Sequence, residues 1–228
     1  LAEIDPLTGC YNRRGITPSI EEMLRTAQGR GGEVALFLID LDNFKTINDR
    51  CGHKGGDAVL VETAHRIKRL LPAEGVCARM GGDEFAFAFP LEAGTGRARA
   101  DRLAADLLAA ISTPVTIADL TIDVTVSVGL ASSRQPGDPT PDAEMLIHWA
   151  DIAMYHAKKH GRDRYAWFEP QMESEIRFRN ALENGVRRGI GAGEFVPYYE
   201  QQIDIQTGEL VGFEMLARWK SPEFGVVS

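Results

Sequence analysis

Val34-Ala35-Leu36-Phe37-Leu38-Ile39-Asp40-Leu41-Asp42 decides how this chain folds: six apolar residues in a row, then an acid, a leucine and a second acid. An apolar run of that length suits a strand buried on both faces. Further along, Val76–Met80 and Phe85–Phe89 read as two more strands, joined by a tight turn at Gly81-Gly82-Asp83-Glu84. Carboxylates from a strand end and from a hairpin can share one place only if a cation lies between them; otherwise at least one pKa rises. The simplest such cation is a hard, oxygen-seeking one, Mg²⁺ (or Mn²⁺), which favours carboxylates, carbonyls, water and phosphate. The pattern points to phosphoryl or nucleotidyl transfer.

Outward from that centre, Asp5-Pro6-Leu7-Thr8-Gly9 reads as a turn, and Asn12 as the cap of a helix running to about Gln28. A short helix is predicted over Asn43–Arg50 and a loop over Gly52–Gly56. Asp57 then opens a second helix, with Leu60, Val61, Ala64, Ile67 and Leu71 at helical spacing. Gly96–Ser112 is an Ala/Leu-rich helix. Val115–Ile117 and Thr121–Leu130 read as a hairpin whose second arm alternates Ile122, Val124, Val126 and Val128 with Thr121, Asp123, Thr125 and Ser127. Thr140-Pro141 predicts the start of a helix ending at Gly161, before a last strand over Tyr165–Phe168. This order implies an α/β (α+β) fold, a ferredoxin-like palm sandwich with a mainly antiparallel central sheet flanked by helices. In that topology the first strand lies antiparallel to the third, so Asp40 meets Asp83. Residues 1–169 form this domain, 170–192 a linker helix, and 193–228 the start of another fold.

The net charge of −8 argues against a nucleic-acid polymer as partner, since such binders carry a basic stripe, but leaves room for a single nucleotide. Cys10, Cys51 and Cys77 are odd in number and form no Cys-x-x-Cys pair, so neither a disulfide framework nor a zinc site is indicated. No apolar run reaches membrane-spanning length. The cytoplasm is the expected compartment, for a piece of a longer protein that a missing N-terminal region could tether to a membrane.

Taken singly, Asp40 and Asp42 are ordinary strand-end acids and Gly81-Gly82 an ordinary turn. Together with adjacent Asp83 and Glu84 they favour a metal site. Asp57 suggests guanine: its carboxylate only accepts, and guanine offers two neighbouring donors, with Asn48 beside it. A plain helix cap explains Asp57 equally well. Lys45, Lys158 and Arg162 are candidate phosphate contacts, although Lys158, Lys159 and His160 also suit a helix C-terminus.

These residues resemble the GGDEF family of diguanylate cyclases over roughly the first three quarters of the chain. The matching motifs are Asp5-Pro6-Leu7-Thr8-Gly9 with Asn12-Arg13; Asp40-Leu41-Asp42-Asn43-Phe44-Lys45 with Asn48-Asp49 and Gly52-His53; Gly56-Asp57; and Arg79-Met80-Gly81-Gly82-Asp83-Glu84-Phe85. Ser127-Val128-Gly129 and Ala150-Asp151, leading to Tyr155, Lys158 and Gly161-Arg162, complete the set. The resemblance implies condensation of two GTP to cyclic di-GMP with release of two pyrophosphates, across a homodimer of domains. It makes Asp40, Asp83 and Glu84 catalytic, and Asp40, Leu41 (through its carbonyl), Asp83 and Glu84 the metal ligands. Asn48 and Asp57 would hold guanine, while Lys45, Phe44, Lys158 and Arg162 would complete the substrate contacts. An Arg-x-x-Asp product site is absent, since Pro72-Ala73-Glu74-Gly75 stands there, so feedback through it is not expected. The tail from Gly193 to Trp219 resembles the opening of an EAL phosphodiesterase domain, with Met215 and Gln201 departing from its pattern. Glu214 and Arg218 would be a metal ligand and a product contact in a complete domain; hydrolysis by this fragment is not expected. The alternative is a GTP-binding regulatory module, without turnover, that controls a downstream phosphodiesterase domain. A palm-type transferase acting on nucleic acid is a weaker third reading, against which the acidic balance counts.

Overall fold

The computed structural model describes residues 3–92, 96–117, 120–134 and 141–228. Its elements run β1 (Tyr11–Asn12), α1 (Arg13–Arg30), β2 (Glu33–Leu41), α2 (Phe44–Leu70), β3 (Val76–Gly81), β4 (Glu84–Leu91), α3 (Gly96–Ile111), β5 (Val115–Ile117), β6 (Leu120–Ile122), β7 (Val126–Ser132), α4 (Ala143–Lys159) and β8 (Arg164–Trp167). α5 (Pro170–Ala192), β9 (Phe195–Ile203), β10 (Leu210–Ser221) and β11 (Gly225–Val227) follow. Two compact units result, Leu1–Met172 and Glu173–Ser228.

The first unit is a six-stranded sheet in the order β1-β3-β4-β2-β7-β8. β2 is central and antiparallel to both neighbours, as the palm topology requires. Side chains alternate across a strand, so Ala35, Phe37, Ile39 and Leu41 face one way with Phe85, Phe87 and Phe89 of β4 and Val126, Val128 and Leu130 of β7. Against this face lie α2 and α3. Phe37, Phe87 and Phe89 meet at centroid separations of 5.1–5.5 Å, and each such buried ring contributes about 2 kcal/mol through removal from water. The opposite face, against α1 and α4, carries the other register: Leu36, Leu38 and Asp40 of β2, Glu84 of β4, and Ser127 and Gly129 of β7. Gly129 lets α4 lie directly on the sheet, for a Cβ there would stand 1.9 Å from the Ala150 carbonyl oxygen.

Three local expectations are corrected. Thr121–Leu130 is not one strand: β6 pairs with β5 in a separate hairpin, and Asp123–Thr125 carries the chain across to β7 in the main sheet. The polar–apolar alternation ends because β7 is covered on both sides, which buries Ser127 and Ala131 beside Val126 and Val128. Residues 53–56 are not a loop, and Asp57 caps nothing; α2 is broken only at Gly52 (φ 69°, ψ 170°), and Asp57 sits inside the helix that resumes. The helix start expected at Thr140 lies outside the described residues, and α4 is capped instead by Asp142, whose carboxylate accepts from the Met145 amide at 2.7 Å. Asn12 caps α1 as expected, accepting from the Gly15 amide at 3.0 Å.

The second unit, taken alone, is an antiparallel sheet ordered β11-β10-β9 beside α5. Its one deeply buried aromatic, Trp219, stacks on Phe195, donates from Nε1 to Glu194 at 2.8 Å, and lies against α5 at Gly185. Tyr199, Val211, Phe213 and Met215 on the same strands are exposed. Glu214 pairs in register with Glu200, and Arg218 lies over the Tyr198 ring. Among the described residues, no helix is long and apolar enough to cross a membrane.

Candidate functional site

The site forms where β2 ends. Asp40 stands opposite Glu84 in the antiparallel register, and the Leu41 amide donates to the Asp83 carbonyl at 3.3 Å. Because Asp40 and Glu84 are register partners, they project from the same face, the one α4 covers. Asp83 comes from the turn between β3 and β4, which Gly81 (φ 155°) and Gly82 (φ 51°) make possible by adopting backbone that side-chain-bearing residues avoid. Arg79 clamps that turn, donating to the Gly82 carbonyl from Nε at 3.0 Å and from a terminal nitrogen at 2.6 Å. Asp5 in turn holds Arg79 at 3.3 Å while accepting from the Thr8 amide and hydroxyl.

Electrostatically the cluster is overloaded with negative charge. Burial pushes the Asp40 carboxyl up; Lys158 opposes this, while Asp83 and Asp42 add to it. Burial also pushes Glu84 up, followed by repulsion from Asp40, relief from Lys158, and repulsion from Asp151 and Asp83. The cation present is Lys158 of α4, whose Nζ lies 2.7 Å from Asp40 Oδ2. Among the described residues, no three Asp, Glu, His or Cys side chains are drawn together in a ready metal cage. Every acid in the group is nevertheless a hard oxygen donor, and two of them gain from any added positive charge.

Arg162 stands just beyond α4, its Nε 4.0 Å from Asp42 Oδ1. Asn48 and Asp57 lie on the two sides of the break at Gly52, and Asn48 packs so closely on Gly56 that a Cβ there would be 2.0 Å from its Oδ1. That contact puts Asn48 beside the residue preceding Asp57. Phe44 is half-buried against the core, and Lys45 and Asp57 are exposed. The structure therefore joins Asp40, Asp83, Glu84 and Lys158 into one electrostatic group, ties Arg162 to it through Asp42, and sets Asn48 next to the Asp57 turn of helix. Two residues that the sequence motifs include, without a role of their own, take part in the site. Asp151 of α4 faces Glu84, with which it lines a cleft of about 400 Å³ also bounded by Arg13, Leu38, Met80 and His148. Asp42 is wrapped by hydroxyls; the signal for it was the Thr125/Ser127 face, which reads as solvent-facing in isolation. A larger cleft of about 530 Å³, bounded by Glu33, Leu91 and Arg99, lies at the opposite end of β2 and holds none of these groups.

The family described as "Diguanylate cyclase, GGDEF domain" matches residues 2–164. The chain is similar to the GGDEF domain of TpbB (YfiN) from Pseudomonas aeruginosa, at 35% identity and TM-score 0.70, covering 76% of this chain and 99% of that one. It is similar to the GGDEF domain of DgcB from Caulobacter crescentus, solved in complex with c-di-GMP, at 30% identity and TM-score 0.62, covering 73% and 96% of the two chains. Among curated proteins it is 34% identical over 232 residues to MucR of P. aeruginosa, a bifunctional diguanylate cyclase/cyclic di-GMP phosphodiesterase, covering 100% of this chain and 32% of that protein. The chain spans roughly a third of the length of the curated relatives it matches, for example 28% and 36%.

Proposed function

This chain belongs to the GGDEF family of diguanylate cyclase domains, and we propose that its first unit condenses two GTP into cyclic di-GMP and two pyrophosphates as one half of a homodimer. The observation that carries the proposal is the meeting of Asp40 with Glu84 and the Asp83 turn beneath Lys158. Asp40, Asp83, Glu84 and the Leu41 carbonyl fit a Mg²⁺ or Mn²⁺ ion, since they supply hard oxygens, and the Asp40 and Glu84 carboxyls are pushed up by burial and by neighbouring acids. When bound, such an ion neutralises charge developing on the transferred phosphate.

The remaining steps belong to the chain's own residues. Asp57 and Asn48 accept from and orient the guanine edge; adenine, with an acceptor at N1, would face a repelling carboxylate. Lys45, Lys158 and Arg162 hold phosphate oxygens, Lys158 exchanging Asp40 for substrate. Each domain presents its GTP so that the 3′-oxygen forms a bond to the α-phosphorus of the partner's GTP, while the bond to the leaving pyrophosphate breaks. Glu84, whose carboxyl burial pushes up and so makes a stronger base when ionised, would take the proton from the 3′-hydroxyl. The second unit is read as the opening of an EAL-type domain, with no hydrolysis expected from this segment.

One second reading has an observation in its favour. Lys158 already closes on Asp40, and a chain that kept this pair could bind GTP without turnover and act on a neighbouring phosphodiesterase domain. Incubation with GTP and Mg²⁺ separates the two. Cyclic di-GMP formation rising more than linearly with protein concentration, and falling at least about 100-fold in Asp83→Ala, is the expected result. Tight GTP binding with no product would favour the regulatory module, and no GTP binding would refute both.

A further inference from the structure

We propose that Asp42 is a positioning residue that sets where Arg162 stands for the triphosphate; the inference rests on the GTP reading of the site. Asp42 is 6% exposed and its side chain almost wholly enclosed. It accepts from three donors on two separate segments: Ser127 Oγ at 2.7 Å, Thr125 Oγ1 at 2.8 Å and the Asp163 amide at 3.1 Å. Its own amide donates to the Thr125 carbonyl at 2.9 Å. A carboxylate so occupied has little capacity left for a metal, which separates its task from that of Asp40, two residues earlier.

The donors identify the task. After α4 the chain passes through Gly161 (φ 116°), Arg162 (φ 59°) and Asp163 (φ 46°), three positive φ values in a row, only one at glycine. Side-chain-bearing residues hold left-handed backbone only where surroundings impose it. Locally the Arg162 amide donates to the Ala157 carbonyl at 3.2 Å and Arg164 Nε to the Arg162 carbonyl at 3.1 Å; from a distant segment the Asp163 amide is held on Asp42 Oδ2, while Oδ1 faces Arg162 Nε at 4.0 Å. The Arg162 side chain remains 53% exposed, so its head is free to meet a ligand while its root is anchored. The exposed ion pair by itself is too screened to hold Arg162; the buried hydrogen bonds fix the backbone that carries it. Asp40–Lys158 is therefore the exchangeable contact of this corner, and Asp42 the permanent one.

The test uses the whole chain with Mg²⁺ and 3′-deoxy-GTP, which lacks the attacking hydroxyl, in calorimetric titrations. Asp42→Asn has one acceptor oxygen in place of two, so its NH2 must stand either against the Asp163 amide and Thr125 or against Ser127 and the Arg162 guanidinium; part of the buried anchor is lost, and affinity is expected to fall about tenfold. In an Arg162→Ala background the same change is expected to cost nothing further. Unchanged affinity in Asp42→Asn, or a loss that simply adds to that of Arg162→Ala, overturns the inference. If Asp42→Asn does not fold, Thr125→Val and Ser127→Ala each remove one donor. A twofold to fivefold loss that disappears without Arg162 supports the role, and no loss in either refutes it. Wild-type protein that fails to bind the nucleotide refutes the GTP reading itself, an outcome distinct from wild-type binding that Asp42→Asn leaves intact.

Discussion

Lys158→Met should destabilise the ligand-free protein at neutral pH, and only there. Lys158 lies 2.7 Å from Asp40, with side-chain exposures of 31% and 11%. At an effective dielectric of roughly 20, a contact pair gains up to about 4 kcal/mol of Coulomb attraction. Desolvation of both ions and solvent reaching the lysine remove most of it, leaving about 1–2 kcal/mol. For a unit of this size that corresponds to roughly 2–8 °C in the unfolding midpoint. The pH dependence follows from the direction of the shift. Asp40 is raised by burial, Lys158 opposes the rise, and Asp83 and Asp42 add to it, so loss of Lys158 raises it further. A raised carboxyl costs stability where it is ionised, and the cost disappears as pH falls through the folded-state pKa. Thermal unfolding by circular dichroism in EDTA is thus expected to show a deficit at about pH 7.5 that shrinks at about pH 5, and that millimolar Mg²⁺ at neutral pH also reduces. A variant as stable as wild type in EDTA at neutral pH, or a deficit indifferent to pH, would refute the argument.

Gly56→Ala would ordinarily stabilise a helix by up to about 1 kcal/mol, but a Cβ here meets Asn48 Oδ1 at 2.0 Å and Phe44 Cζ at 3.1 Å. A net loss of about 1–3 kcal/mol is expected, together with a fall in the preference for GTP over ATP measured by competition. Arg79→Met removes the donors that hold the Gly82 carbonyl and frees Asp5, so a loss of about 1.5–3 kcal/mol in urea unfolding is expected. Burial tends to raise the Asp5 carboxyl, but the Thr8 hydroxyl and amide and Arg79 hold it low overall. Its contribution is therefore complete above the ordinary carboxylate range and lost as pH falls through the lowered value; Arg79→Met should flatten that acid limb in a pH titration of stability. Added cyclic di-GMP should not slow product formation non-competitively through Pro72–Gly75, where neither an arginine nor an aspartate stands; strong inhibition abolished by substitutions in that turn would contradict this.

Much of the architecture was legible because it is written in local periodicity. The apolar run Val34–Ile39 announces a strand covered on both sides, the glycine pair at 81 and 82 announces its turn, and Asn12 announces its helix. Where the reading failed, burial overrode the local pattern. Thr125 and Ser127 alternate with valines as an edge strand would, yet β7 lies inside the sheet and Asp42 uses both hydroxyls. Glycines 52, 55 and 56 suggest a loop, but only Gly52 leaves helical backbone, while Gly55 and Gly56 are buried and packed against the preceding turn of helix.

The linear order of residues by itself determined the central strand, the acid at its end, the hairpin that returns two more acids, and the topology that sets them side by side. Those features depend on side-chain period and turn chemistry, which act over a few neighbouring residues. Only the tertiary structure decided that Lys158 closes on Asp40, that Asp151 faces Glu84, and that Asp42 is enclosed and engaged with the chain beyond α4. Each of these depends on where α4 comes to rest on the sheet. That resting place is set by the close approach of its backbone to Gly129, a contact between residues too far apart in sequence for any local pattern to encode.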